Sequence, residues 1–182
     1  MKSNKYKEHL DEYIELLQND INYLQSVALP KFDSIKINCS MIGSDFRLWS
    51  DKLVNKGIDK DCPVLYYISF APPVIPADIL EIASNAKAKS KKMALPQINK
   101  GRTSNILYVG KTNCNFPSRL RYHLGLVESK TYALHLKHWA KDFSFTLHFA
   151  KLCFPAGEIK YLELMESALH NSLQPLLGRS GH

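Results

Sequence analysis

No apolar run in the chain approaches the roughly 20 residues needed to cross a bilayer, which excludes a helical membrane protein. The N-terminus, MKSNKYKEHLDEYIELL, carries acids and has no apolar core, so it does not read as a secretory leader. Cysteine is scarce and unpatterned. Cys39, Cys62, Cys114 and Cys153 form no CxxC pair, and none stands beside a histidine at ligand spacing, which argues against structural zinc. Such spacing suits free thiols in a reducing cytosol, so a cytoplasmic location is expected. Internal repeats and low-complexity tracts are absent, and glycines number only eight. Acidic residues are also short in one part of the chain. Residues 1–60 hold nine Lys/Arg against nine Asp/Glu, whereas residues 61–182 hold fifteen against eight. The net charge of +7 therefore belongs to the second part, as expected where a polyanion is met, although a basic surface also serves solubility.

What is present is an ordinary globular composition, 45% hydrophobic and 23% charged, in 182 residues. That length suits one domain with an appendage. Leu10, Tyr13, Ile14, Leu17, Ile21 and Leu24 recur at helical steps and predict an amphipathic helix over 5–27, ended by Pro30. Residues 31–60 read as irregular or partly helical. Residues 1–60 are thus expected to form a helical element that docks on the remainder or on another subunit. Val64-Leu65-Tyr66-Tyr67-Ile68-Ser69-Phe70 is dense in β-branched and aromatic residues and predicts a strand. A helix is predicted over 77–93, then a polar stretch from Gln97 and a second strand over 105–109. Helices follow around 116–127, behind Pro117, and 130–141. A third strand is predicted over 143–150 and a last helix over 157–173, stopped by Pro175. Three strands with helices cannot make a doubly wound sheet, so the expected fold is α+β, a small three-stranded antiparallel sheet flanked by helices.

Chemistry concentrates in three places. The second strand exits through Tyr108-Val109-Gly110-Lys111, where glycine permits close approach and lysine could face a phosphate, although such turns are common. In the following helix, Arg119 and His123 share a face at i, i+4, opposite Leu120 and Leu124. On the last helix Glu166 borders the apolar stripe of Leu162, Met165 and Leu169. A carboxylate there is costly unless a cation meets it or it reaches water. His170, one turn on, could orient it. His135 and His138 read as a pair on a solvated helix face, without a role.

In order and element type, Val64-Leu65-Tyr66, Tyr108-Val109-Gly110-Lys111, Arg119, Glu166 and Pro175 resemble the GIY-YIG endonuclease signature. The likeness covers residues 63–178. It departs from the pattern in three ways. Val64 replaces the first glycine, 41 residues separate Tyr66 from Tyr108 and make 71–104 an insertion, and the tail reads Leu176-Leu177-Gly178-Arg179 without the usual asparagine.

The resemblance implies a metal-dependent endonuclease acting on double-stranded DNA. One Mg²⁺, for which Mn²⁺ could substitute, would be held by Glu166. Arg119 would clamp the scissile phosphate, Tyr66 would serve as general base, and Tyr108 would orient water or phosphate. Lys111 and His123 would assist or protonate the leaving group, although His123 also reads as a surface or DNA-facing residue. The insertion carries six basic and two acidic residues. Lys87, Lys89, Lys91, Lys92, Lys100 and Arg102 would meet DNA there, joined by Arg121 from the helix. Small size favours a restriction-type enzyme, with a homodimer through the first helix. Homing or mobile-element nucleases, structure-specific repair nucleases and an inactive nucleic-acid-binding module are the alternatives.

Overall fold

The computed structural model describes residues 2–26, 33–42, 62–71, 76–89, 93–127, 130–140, 145–154 and 159–180. It divides after Lys31 into two compact units. The first contains a single helix, α1 (Lys2–Ser26). Its predicted stripe lies bare, with Leu10, Tyr13, Ile14, Leu17 and Ile21 all exposed.

The second unit is built on one antiparallel sheet of four strands, β1 (Asp33–Asn38), β2 (Val64–Phe70), β3 (Ile106–Thr112) and β4 (Thr146–Cys153), in the order β1-β4-β2-β3. The sheet class is as expected but the strand count is not. The fourth strand is β1, inside the segment read as irregular or partly helical. Residues 33–42 therefore belong with the sheet and not with a helical element spanning 1–60, and residues 43–61 lie outside the described part. β1 is an edge strand paired only with β4. Its Ser34, Lys36 and Asn38 face solvent while Ile37 is buried, so its apolar signal is too short to declare a strand.

Alternation along β2 decides which helix covers which face. Val64, Tyr66, Ile68 and Phe70 join the main core. There they meet α2 (Pro76–Lys89) through Ile79 and Ala83, and α3 (Phe116–Leu124) through Phe116, Leu120 and Leu124. Leu65 points the other way, into a smaller cluster with Leu152, Phe154 and Leu162 of α4 (Ile159–Leu173). Residues 90–92, 141 and 157–158, expected in helix ends, lie outside the described part, as do residues 143–144 of the expected third strand.

The helix predicted over 130–141 reduces to a single 3-10 turn, Leu136–His138. Ala133, Leu134, Leu136, Trp139 and Ala140 are buried, too many in close succession for one helical face, while Tyr132 is exposed. His135 adopts a left-handed backbone, φ 47°, that interrupts a helix. This segment is core-filling loop, pinned by Trp139 Nε1 donating to the Leu134 carbonyl at 2.6 Å. His135 is consequently fully buried, in contrast to the solvated position expected for it.

Beyond α4 the chain turns at Gln174, φ 50°, and runs beside β3. Leu176 and Leu177 N–H donate to the carbonyls of Ile106 and Leu107, both at 2.9 Å. On its other side the tail pairs with residues 97–99. Asn99 N–H donates to the Leu176 carbonyl at 2.9 Å, and Gly178 N–H to the Gln97 carbonyl at 2.8 Å. Asn99 Nδ2 also spans the carbonyls of Pro175 and Gly178, at 3.0 and 2.9 Å. The insertion and the C-terminal segment thus extend the sheet beyond β3.

Candidate active site

In the β2–β3 register Tyr66 lies opposite Gly110 and Ile68 opposite Tyr108, so both tyrosines rise from one face of the sheet. A side chain on Gly110 could not coexist with them. An added Cβ would lie 2.6 Å from Tyr108 Cε1 and 2.7 Å from Tyr66 Oη. Glycine is needed here for space, not for backbone freedom.

The helix α3 delivers Arg119 and His123 to these phenols. Its start is fixed by Asn115, in the left-handed region at φ 54°, whose side chain accepts from Ser118 N–H at 3.2 Å; its end is fixed by Gly125 at φ 78°. With the helix so framed, the i, i+4 pair reaches one atom as the spacing predicts. Arg119 Nε donates to Tyr66 Oη at 3.0 Å, and His123 Nε2 lies 2.8 Å from the same oxygen. A second guanidinium nitrogen of Arg119 donates to Tyr108 Oη at 3.4 Å.

His123 is completely buried, so it is not a DNA-facing residue. Its Nδ1 accepts from Leu134 N–H at 3.2 Å. A neutral ring must then carry its proton on Nε2 and donate it to Tyr66 Oη. Burial, then the charge of Arg119, hold this imidazole well below its ordinary pKa and keep it neutral. Tyr66 Oη therefore receives two N–H donors.

Burial pushes the Tyr66 phenol upward more than the Arg119 charge lowers it, and Tyr108 shifts upward for the same leading reason. For Arg119 burial alone would weaken the charge, but the two phenols more than offset it, and its pKa is raised.

Lys111 and Glu166 come from the opposite face of the sheet, Lys111 beside Leu65 in register and Glu166 on α4. Lys111 Nζ lies 3.7 Å from Glu166 Oε2 and 3.9 Å from the exposed Glu163. Glu166 is 5% exposed, and its Oε2 has no hydrogen-bond partner among the described residues. Burial raises its pKa, opposed by Lys111. His170 is buried one turn on without a bond to that oxygen, so its expected orienting role is not seen.

Both faces contribute to one cleft of about 550 Å³, whose lining includes Tyr108, Lys111, Arg119 and Glu166. Tyr66 is 1% exposed and is not part of the lining; it stands behind Arg119. Among the basic residues expected to meet DNA, Lys87 lines the cleft, donating to the Pro96 carbonyl at 3.2 Å. Arg102 instead donates to the Pro175 carbonyl at 3.0 Å and holds the tail. Lys100 is exposed away from the lining, and Arg121 is half-buried outside it. Lys91, Lys92 and the Lys89 side chain lie outside the described part.

Three lining residues had no signal in the sequence: Gln97, Tyr132 and Arg179. Gln97 and Arg179 meet only because the tail pairs with the insertion.

An orphan carboxylate oxygen beside a lysine fits a hard cation. Among the described residues no group of three His, Cys, Asp or Glu could chelate one. Such a site would suit an ion that keeps most of its water and takes few protein ligands, as Mg²⁺ does. No helix among the described residues is long and apolar enough to cross a membrane, and the four cysteines are free. Comparisons with protein-family models, curated proteins and solved structures found no match to this chain.

Proposed function

We propose that the chain is a metal-dependent endonuclease of double-stranded DNA, GIY-YIG-like and of restriction type. The observation that carries this reading is the meeting in one cleft of Tyr108, Arg119, Lys111 and Glu166, whose Oε2 has no hydrogen bond among the described residues. Phosphodiester hydrolysis needs neutralisation of charge on the phosphate oxygens and an activated, positioned water. Arg119 has five N–H donors and spends two on phenols, which fixes its plane and leaves three for a phosphate. Lys111 adds a second positive charge on the same side. Tyr108 presents its hydroxyl to the cleft and is the better-placed partner for the attacking water. Tyr66, expected as the base, instead holds Arg119 in position from behind, with His123 holding Tyr66.

Glu166 would hold the divalent ion, Mg²⁺ or Mn²⁺, which when bound supplies charge neutralisation and a more acidic water. DNA on both sides of the cleft, a symmetric dimer through α1 and a cytoplasmic location complete the proposal. One observation favours a second reading, an inactive binding module. Lys111 already stands 3.7 Å from Glu166 Oε2 and could serve as its permanent counter-ion.

Plasmid cutting with Mg²⁺ or Mn²⁺ separates the two. The nuclease reading expects discrete fragments, lost by at least about a thousandfold in Glu166→Ala, consistent with the several kcal/mol a catalytic ion contributes. Tight, salt-sensitive DNA binding without cutting in any divalent ion would leave the binding module.

A further inference from the structure

The cleft also contains a pair that the hydrolysis chemistry does not use. Arg179 Nε donates to Gln97 Oε1. Both residues line the cleft, together with Tyr132, whose ring is 68% exposed. The pair is carried on paired backbone, because Gly178 N–H is bonded to the Gln97 carbonyl and Asn99 holds the Gly178 carbonyl. Gly178 itself is at φ 104° and passes against the Tyr108 ring, where an added Cβ would lie 3.0 Å from Cε2. Arg179 is thus anchored next to the reacting groups without belonging to them.

The other cations of the cleft each have a protein partner. Lys87 bonds the Pro96 carbonyl, Lys111 faces Glu166, and Arg119 bonds the two phenols. Arg179 keeps both terminal guanidinium nitrogens without a partner among the described residues.

The pairing decides what these groups can read. The Gln97 amide oxygen, the acceptor of the pair, is engaged by Arg179. What remains is mostly donors, the terminal nitrogens of Arg179 and the amide nitrogen of Gln97, with one lone pair left on the amide oxygen. Guanine presents two adjacent acceptors, O6 and N7, on its major-groove edge. Adenine presents one acceptor beside a donor, cytosine a donor, and thymine one acceptor beside a methyl group. An anchored guanidinium also has the planar fork that matches the guanine edge bidentately. A phosphate would accept from the same donors, but Arg119 and Lys111 already supply the phosphate contacts. The exposed Tyr132 ring adds a flat apolar surface suited to a base or sugar rather than to an anion.

We propose that Arg179, oriented by Gln97, reads a guanine adjacent to the phosphate held by Arg119, making it a specificity-determining residue. The inference rests on reading the cleft as a duplex-DNA site. The test uses the full chain and randomised DNA duplexes, selected by binding in EDTA so that no cutting is required.

Wild-type protein should enrich duplexes with guanine at a fixed position. Arg179→Ala and Arg179→Lys should both lose that guanine, with affinity for the selected duplex falling about 10- to 100-fold. Arg179→Lys keeps the charge, so its salt dependence should stay as in wild type. Gln97→Ala should weaken the preference by a smaller factor. Thermal melts confirm that each variant is folded, and Arg179→Lys carries the test if Arg179→Ala is not.

Equal weakening on all duplexes by Arg179→Ala, with the slope of log affinity against log salt reduced by about one, would mean a phosphate contact and overturn the inference. So would a wild-type selection without a guanine that depends on Arg179. Cutting is scored separately: guanine selection through Arg179 without any cleavage would defeat the nuclease reading alone.

Discussion

At Gly110 one added carbon has nowhere to go, because both tyrosine hydroxyl ends close over it. Gly110→Ala should therefore force Tyr66 and Tyr108 apart and cost about 1–3 kcal/mol, as overpacking does. Denaturant unfolding measures the loss, and cutting should fall with it because Arg119 loses its two anchors. His123 makes a second prediction at this scale. It is neutral when folded because burial depresses its pKa, while the unfolded chain regains a pKa of about 6.5. Below that pH the unfolded state binds more protons, so the stability is intact above about pH 6.5 and falls as the pH drops. His135 and His170 shift in the same direction, while Glu166 shifts upward and opposes them in acid. Melting temperatures from pH 8 to pH 5 should thus decline less steeply in His123→Gln than in wild type; parallel curves would remove His123 from the account. Much of the residue chemistry was legible in the sequence. Spacing placed Arg119 and His123 on one helix face and Glu166 beside an apolar stripe, but only the resemblance to the GIY-YIG order joined them into one site. Depth was not legible. The helix start and the Phe116 ring, 5.1 Å from the Tyr66 ring, bury that phenol behind the cleft, and no local pattern reports it.

Among the elements, the tail segment after Pro175 brings Gly178 and Arg179 to the cleft. Asn99 is the side chain that ties it most firmly, with two hydrogen bonds to its carbonyls. Asn99→Ala should destabilise the protein by about 1–3 kcal/mol, because the carbonyls it satisfied are left half-paired. Urea unfolding would show it, and an unchanged midpoint would mean that the backbone ladder holds the tail alone. Strands β2, β3 and β4 were readable because aromatic and β-branched residues crowd them. β1 was not, since a half-exposed edge strand shows only a short alternation. The 130–141 segment misled for the opposite reason: its apolar residues are plentiful, but most are buried in a loop that His135 keeps from continuing as a helix. The pairing of the tail with residues 97–99 is a long-range contact without any local signature, and Gln97 and Arg179 were missed with it.

For the molecule as a whole, charge and symmetry lead to separate tests. The basic excess of residues 61–182 gathers four cations around the cleft against Glu166, so duplex binding should weaken steeply between 50 and 200 mM salt. Along α1, Leu10 and Leu17 alternate with Ile14 and Ile21 at heptad positions. Isoleucine at one and leucine at the other favours a two-stranded parallel pairing. Sedimentation of the full chain should show a dimer that Leu17→Glu reduces to monomer; a monomeric wild type would end the α1 proposal. The seating of the tail has one more consequence, which concerns timing. A ribosome delivers the sheet strands and α3 well before residues 174–179, and domains begin to fold as they emerge. The cleft would therefore stay unfinished until residue 179 has emerged, and a nascent chain halted at residue 173 should neither bind duplex nor protect residues 97–99 from protease. On the proposed nuclease reading, such a delay would keep the chain from cutting DNA until Arg179 has emerged.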